Sequence, residues 1–204
     1  MKQAILSLLA TATIVFAPLA SAIDFDLKDP KGVNNIVFLL DAPLESINGT
    51  ATGISGNVSF DPAAPESTSG KLVVAVESMS VANPKMVEHI MGARWMDAAK
   101  HPEIVYELNG LSDVKKSGNK VSGTANGTMT IKGVSKELAI PVSLSYLEGK
   151  LADRQRTPGD ILVIRSSFSI SRSDFDVNAG QQEDKVADEI ELRLSLAGIA
   201  PKKS

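Results

Sequence analysis

The sequence predicts an all-β protein whose antiparallel strands have one apolar and one wet face, with a single short helical segment. Three observations predict it. Most of the chain after residue 22 alternates apolar and polar residues with period two. The alternating runs are bounded by clusters of Gly, Pro, Asn and Ser, and only one segment carries a helical period. Strands this numerous close into a barrel or split into a sandwich.

The alternation is clearest toward the C-terminus. "EIELRLSLAGI" puts Ile190, Leu192, Leu194 and Leu196 on one face, with Glu189, Glu191, Arg193 and Ser195 on the other. "ELAIPVSLSY" aligns Leu138, Ile140, Val142, Leu144 and Tyr146, and "LVIRSSFSIS" aligns Leu162, Ile164, Phe168 and Ile170. A single wet face marks antiparallel strands. Further runs span 35–40, 56–60, 71–81, 104–113 and 120–132, and "KGVS" at 132–135 reads as a hairpin turn. No composition break or repeat divides the chain, so residues 23–204 are expected to form one domain.

The run "KVSGTANGTMTIK" turns Val121, Gly123, Ala125, Gly127, Met129 and Ile131 inward. Half of that set is Gly or Ala. Such small residues fit either a bend or bulge in the sheet or space for a ligand.

The helical period lies in "NPKMVEHIMGARWMDAAKHPEI", residues 83–104, which also holds both histidines, His89 and His101, and the one tryptophan, Trp95. Met86 and Ile90 are four apart, as are Val87, Met91 and Trp95, which makes an apolar stripe. Asn83 suits the N-cap and Pro84 the first helical position. Gly92 weakens the middle, and Pro102 ends any continuation near Lys100. A lone amphipathic helix in a β chain must bury its stripe on a barrel mouth or a sheet face.

The first residues, "MKQAILSLLATATIVFAPLASA", read as a secretory leader, with Lys2, an apolar stretch and the A-x-A site Ala20-Ser21-Ala22. Cleavage after Ala22 and a periplasmic or secreted product are expected. The apolar run breaks at Pro18, short of the roughly 20 residues that span a bilayer, so no membrane-spanning helix is expected. Zero cysteines exclude disulfides, a thiol nucleophile and thiolate metal sites. A net charge of −3, more acidic still once Lys2 leaves with the leader, argues against nucleic acid as a partner.

Motifs for chemistry are sparse. Neither histidine has a second ligand at H-x-x-x-H spacing, so no metal is expected. No G-x-S-x-G elbow occurs, and "PESTSGKL" matches a phosphate loop only at Gly70-Lys71. No catalytic residue and no cofactor are assigned. In "SRSDFD", Arg172 and Asp174 are expected to form a charge-assisted pair that fixes a loop at one barrel end.

Five segments follow one another in a telling order. They are "NGTATGISGNVSFDP" (Gly49, Gly56, Asp61), "SMSVANPKMVEHIMGARWMDAAKHPEI", "GTMTIKGVSKELAIPV", "ISRSDFDV" and "VADEIELRLSL". In this order they resemble the YceI-like family of exported, lipocalin-like, polyisoprenoid-binding proteins, over nearly all of the chain after the leader. The family's helix with His-Leu, aromatic pair with Asp, and Pro-anchored strand correspond to His89-Ile90, Trp95-Met96-Asp97 and Pro102-Glu103-Ile104. Three departures stand out. Met86-Val87 replaces the Arg-Asp common before the helix histidine, Lys132 replaces the His of the T-x-H-G-V-T hairpin, and Asp176 replaces the Gly after R-S-D-F.

The resemblance implies an extended antiparallel lipocalin-like barrel of about eight strands around a long apolar channel, with the short helix as its lid. It implies a bound long-chain lipid or isoprenoid (quinone, polyprenyl, fatty acyl or fatty amide), and a homodimer is compatible with it. Its ligand-binding residues would be Phe38, Val74 and Val76, then Met86, His89, Ile90, Met91 and Trp95 of the lid. Met129, Ile131, Leu144, Phe168, Ile170 and Arg172 complete the set. Two other readings stand beside the carrier: an exported stress or interaction protein with a side-chain-filled barrel, and a hydrolase or dehydratase using His89.

Overall fold

The computed structural model describes residues 22–202; the expected leader lies, but for Ala22, outside the described residues. Among these, the strands are β1 (Ile23–Asp26), β2 (Asn35–Asp41), β3 (Ser46–Ala51), β4 (Ile54–Phe60), β5 (Ser69–Ala75) and β6 (Met79–Val81). Five longer ones follow: β7 (Glu103–Ser117), β8 (Lys120–Ile131), β9 (Val134–Leu147), β10 (Gly159–Ser171) and β11 (Glu189–Pro201). Helix α1 (Pro84–Met91) separates β6 from β7, and α2 (Leu151–Gln155) separates β9 from β10.

All pairings are antiparallel within one sheet that closes on itself. Three wall positions are each shared by two strands laid end to end. β1 pairs with β4 and β2 with β3, and both β1 and β2 pair with β11, at Ile199 and at Glu191–Ser195 respectively. β5 and β6 likewise form one run broken by a single 3-10 turn at Val76–Ser78. With β7 to β11 this makes a closed antiparallel barrel of eight wall positions. The sheet is a barrel and not a sandwich because the strand order closes, with β1 pairing with both β4 and β11, so that most strand edges are paired.

The seam between β1 and β2 is closed by a side chain. Residues 27–34 leave the wall, which would strand Ala197 of β11 without a partner. Asn34, 3% exposed, fills the place of a peptide: its Nδ2 donates to the oxygens of Ala197 (3.2 Å) and Leu27 (2.9 Å), and its Oδ1 accepts the Ala197 amide (2.8 Å). Asp29 shapes the excursion by accepting the amides of Lys31, Val33 and Asn34, and Arg154 of α2 pairs with it at 2.8 Å. Burial works to raise the Asp29 pKa. The three amides and Arg154 outweigh it and hold the carboxyl below its ordinary value.

The β8–β9 hairpin turns at Lys132 (φ 49°) and Gly133 (φ 78°), two successive left-handed residues that match the sheet twist. The small inward residues of β8 accompany irregular pairing. β7 carries extra residues between Leu108 and Gly110 and between Ser112 and Lys115, opposite the glycine-rich part of β8. At Gly127 a Cβ would come within 2.1 Å of the Glu107 carbonyl oxygen and 3.0 Å of the Tyr106 ring, which crosses β8 so that its hydroxyl donates to the Ala125 oxygen at 2.9 Å. The bend-and-bulge reading therefore describes this strand, and the space at Gly127 is taken by the Glu107 carbonyl and the Tyr106 ring.

The two ends of the barrel differ. The lower end, where β8 begins and β9 finishes, is filled: Phe25, Phe60, Leu144, Leu162 and Leu196 are buried, and Tyr146 sets its ring edge-on to Phe25 at 6.2 Å. The upper end carries α1, the β8–β9 hairpin and the 172–188 loop. There the ladders thin out. β6 pairs with β3 alone, and β9 pairs with β10 only through Val142–Leu147.

Replacing Asn34 by Ala should cost roughly 1–3 kcal/mol, because Ala197 loses both its partners inside the wall. Urea denaturation measures it, and an unchanged midpoint would show that the seam does not depend on this amide.

Candidate functional site: an apolar cavity beneath a carbonyl-bound arginine

The upper half of the barrel encloses a cavity of about 410 Å³, within the usual range for small-molecule sites. Its walls are inward residues of successive strands. Phe38 comes from β2, Val74 from β5, Met129 and Ile131 from β8, and Phe168 and Ile170 from β10. Ile190, Leu192 and Leu194 of β11 face them. Phe38 fits because Gly49 lies opposite it in register: a Cβ there would come within 2.0 Å of the Phe38 ring.

The roof comes from two irregular segments. Helix α1 starts as its sequence dictates, with the Asn83 side chain accepting the Lys85 amide at 3.0 Å and Pro84 in the first turn. It stops at Met91, earlier than the continuation toward Lys100 that the sequence suggested. Gly92 turns extended (φ −70°, ψ 161°), and the chain goes on in turns closed by Met96 N–H to Ile90 O and Ala98 N–H to Met91 O. Met86, His89 and Ile90 thus share the face toward the cavity, and Trp95 joins them from the turns. Met91, about 100° round from Ile90, is not among the lining residues and packs on the core.

The second roof segment hangs on Arg172. This side chain is 1% exposed, and all five of its N–H donors meet backbone carbonyls. Nε donates to Ala187 O (3.1 Å), Nη1 to Val177 O (3.0 Å) and Asn178 O, and Nη2 to Gln181 O (2.6 Å) and Val186 O (3.1 Å). Its guanidinium carbon stands 5.6 Å from the centre of the Trp95 ring, a cation–π contact. The expected Arg172–Asp174 pair does not form. Asp188 is the nearby carboxylate instead, accepting the Ser173 amide at 3.0 Å and the hydroxyls of Ser171 and Ser173. Burial works to raise the Asp188 pKa, but these hydrogen bonds and then the Arg172 charge lower it on balance. Asp174 loses the role because Arg172 turns inward, where a ring of carbonyls already satisfies it.

Of the residues that the resemblance implied, the structure gathers Phe38, Val74, Met86, His89, Ile90, Trp95, Met129, Ile131, Phe168, Ile170 and Arg172 around this cavity. Three lie elsewhere. Val76 is buried in the 3-10 turn that interrupts the strand parity, Met91 is on the neighbouring helix face, and Leu144 belongs to the filled lower core. Among the described residues, the cavity that corresponds to the long channel is lined from the upper half of the barrel. Tyr106, Met96 and Val186 line it without having been singled out from sequence. Tyr106 had a signal, since it shares the inward parity of β7 with Ile104. Val186 had none, because its loop has no period.

Outside the roof lies a polar groove lined by Glu88, Arg94, Lys132, Asp176 and Gln181, among others. His89, Trp95 and Gln182 border both the groove and the cavity. Lys132 braces the rim, its Nζ donating to the oxygens of Asp176 (2.6 Å) and Arg94 (3.2 Å). His101 packs away from the cavity, against the turn at Gly133. Among the described residues, no three His, Cys, Asp or Glu side chains gather to hold a metal ion, and no helix is long and apolar enough to cross a membrane.

A closed antiparallel barrel with an apolar cavity under a helical roof is a lipocalin-like protein. The YceI-like domain matches residues 29–197, and the chain belongs to that family. A UPF0312 protein of Azotobacter vinelandii is 29% identical over 92 residues, which span 45% of this chain and 46% of that protein, so the match covers about half of that relative. A UPF0312 protein of Shewanella baltica is 29% identical over 143 residues, covering 69% of this chain and 72% of the relative. The solved structure of a polyisoprenoid binding domain from Saccharophagus degradans, implicated in plant cell wall breakdown, shares the fold. Its TM-score is 0.62 at 12% identity, over 90% of this chain and 99% of that one.

Arg172→Ala should destabilise the protein by at least about 3 kcal/mol, since it releases several buried carbonyls together. Arg172→Lys should rescue little, because an ammonium cannot copy the planar fork. A Tm within one or two degrees of the parent for either variant would contradict the role assigned here. Acid should also weaken the fold. Asp29 and Asp188 have folded pKa values below their unfolded ones, so their stabilisation is present above about pH 4 and lost as pH falls through the folded values. Asp188→Asn should flatten that acid limb in urea titrations.

Proposed function

We propose that this protein is an exported carrier that sequesters one apolar chain, of isoprenoid or fatty acyl or amide type, in the upper cavity without chemical turnover. The observation that carries this reading is the cavity itself, walled by Ile, Leu, Val, Met and Phe side chains. The buried cation at its roof, Arg172, has all five donors on carbonyls and none left for a substrate. Burial of each CH₂ contributes about 0.8 kcal/mol, so an apolar chain binds such a space without a strong head-group contact. The solved neighbour from Saccharophagus degradans, described as polyisoprenoid binding, points the same way. Export rests on the leader, and the periplasm is the compartment proposed.

The polar end of the ligand would sit where the cavity meets the outer groove, beside His89, Trp95 and Gln182. His89 is then a rim residue and not a catalytic base.

Organic extraction of the purified protein followed by mass spectrometry tests the reading. It should yield one long-chain lipid per protein, and reloading should shift or quench Trp95 fluorescence. A lipid-free extract together with silent Trp95 emission on adding isoprenoid or acyl lipids would overturn it. Trp95→Ala should cost about 3–5 kcal/mol of stability and also weaken binding, since it removes the ring beneath Arg172. Unchanged affinity in the folded variant would make Trp95 ordinary core. N-terminal sequencing of the exported protein should begin at Ile23.

A further inference from the structure

The same inward face of each wall strand changes character partway down. On β11, Leu194 faces the cavity, whereas Leu196, two residues on, is 2% exposed within the filled core. On β10 the change falls between Phe168 and Ile164, and on β8 between Met129 and Ala125. On β7 the last residue to face the cavity is Tyr106. Its ring does not follow the strand downward. It lies across β8 in the space that Gly127 leaves, 3.0 Å from where a Cβ would stand, and its hydroxyl is tied to Ala125 O at 2.9 Å and Leu138 O at 3.4 Å. Burial, and then the Glu137 charge, push its pKa up to about 12, so the hydroxyl keeps the proton it donates.

We propose that Tyr106 is the floor of the cavity and sets the length of chain the protein can enclose at about ten to fifteen carbons, two to three isoprene units, with the rest of any longer chain left outside the roof. This rests on the carrier reading and adds a size limit to it. The length follows from the wall. From Ile190 to Leu194 the strand covers four residues at about 3.3 Å each, roughly 13 Å. An extended chain of tetrahedral carbons advances about 1.25 Å per carbon, which gives about ten. A bend beneath the roof adds a few more. Three features hold the floor in place. Gly127 leaves room for the ring, two carbonyls hold its hydroxyl, and the buried Leu111, Ala125 and Leu196 lie in the core beneath it. On β11, four wall positions round the barrel from β7, Leu194 is likewise the last residue of its strand to face the cavity.

Calorimetric titration with primary n-alcohols from about 6 to about 20 carbons tests it, with affinity expected to rise about fourfold per methylene up to the limit and then stay flat. Tyr106→Ala should move the break to longer chains by roughly three to five carbons, the reach of the missing ring, while Tyr106→Phe, which keeps that ring, should leave it in place. If Tyr106→Ala fails to give a cooperative melt, Leu194→Phe decides the matter, because raising the floor from the far wall should move the break to shorter chains. An affinity in the parent protein that keeps rising past about 15 carbons overturns the floor while leaving the carrier intact. So does an unmoved break in folded Tyr106→Ala or in Leu194→Phe. Absence of binding at every length overturns the carrier reading and the floor together.

Discussion

The upper end of this barrel depends on one buried cation. A guanidinium removed from water costs several kcal/mol unless its donors are met, and here five backbone carbonyls meet them. Bringing five carbonyls of one loop to a single point forces that loop into an unusual path. Asp176, Asn178 and Gln182 all take left-handed conformations, with φ of 54°, 45° and 56°. The positions of Gln182, Lys185 and Val186 at the cavity follow from that path. Because the Trp95 ring stacks on the same guanidinium, the turns after α1 and the 172–188 loop are joined through one side chain. The arginine thus shapes the roof, and in doing so it has no donor left for a ligand.

The lower end depends on continuity of the wall. Asn34 supplies the peptide-like pair that β1 and β2 leave out, and Asp29 holds the loop that presents it. Below Tyr106 the interior is packed with aromatic and aliphatic side chains, so the lower half acts as a rigid base. Above it, β6 and the upper parts of β9 and β10 lack ladder partners on one side, and the roof is one short helix and turns. Local opening needs least free energy where backbone pairing and apolar contacts are sparse. Rigid base and weakly paired top are the arrangement that a site loaded from one end requires.

Period-two patterning made the long strands legible, and with them the inward identity of Met129, Ile131, Phe168 and Ile170. Parity tells in from out but not how deep, which is why Leu144 read like a cavity residue although it lies in the filled base. Val76 misled for a related reason: one 3-10 turn, with no marker in "AVES", breaks the parity of its run. β3 was hard to see because "SINGTA" has Gly49 where an apolar residue would continue the pattern, and that glycine serves the Phe38 ring of the next strand. The N-cap of α1 was plain, but its early end was not, since one glycine weakens a helix interior without having to end it. The 176–187 loop was illegible because its conformation is set by bonds to Arg172, a long-range tertiary effect that no local pattern encodes. The family resemblance supplied the barrel and the roof in outline. It suggested a longer channel than this chain's own residues leave open.

The most direct measurement is methyl NMR of the protein with and without a bound isoprenoid or acyl chain. Signals of Met86, Met129, Ile131 and Ile170 should move and show intermolecular contacts with the chain, while those of Leu144 and Leu162 in the filled base should stay where they were. Shifts confined to outer surface methyls, or contacts that reach Leu144 and Leu162, would contradict the account of a ligand held in the upper half of the barrel above a packed base.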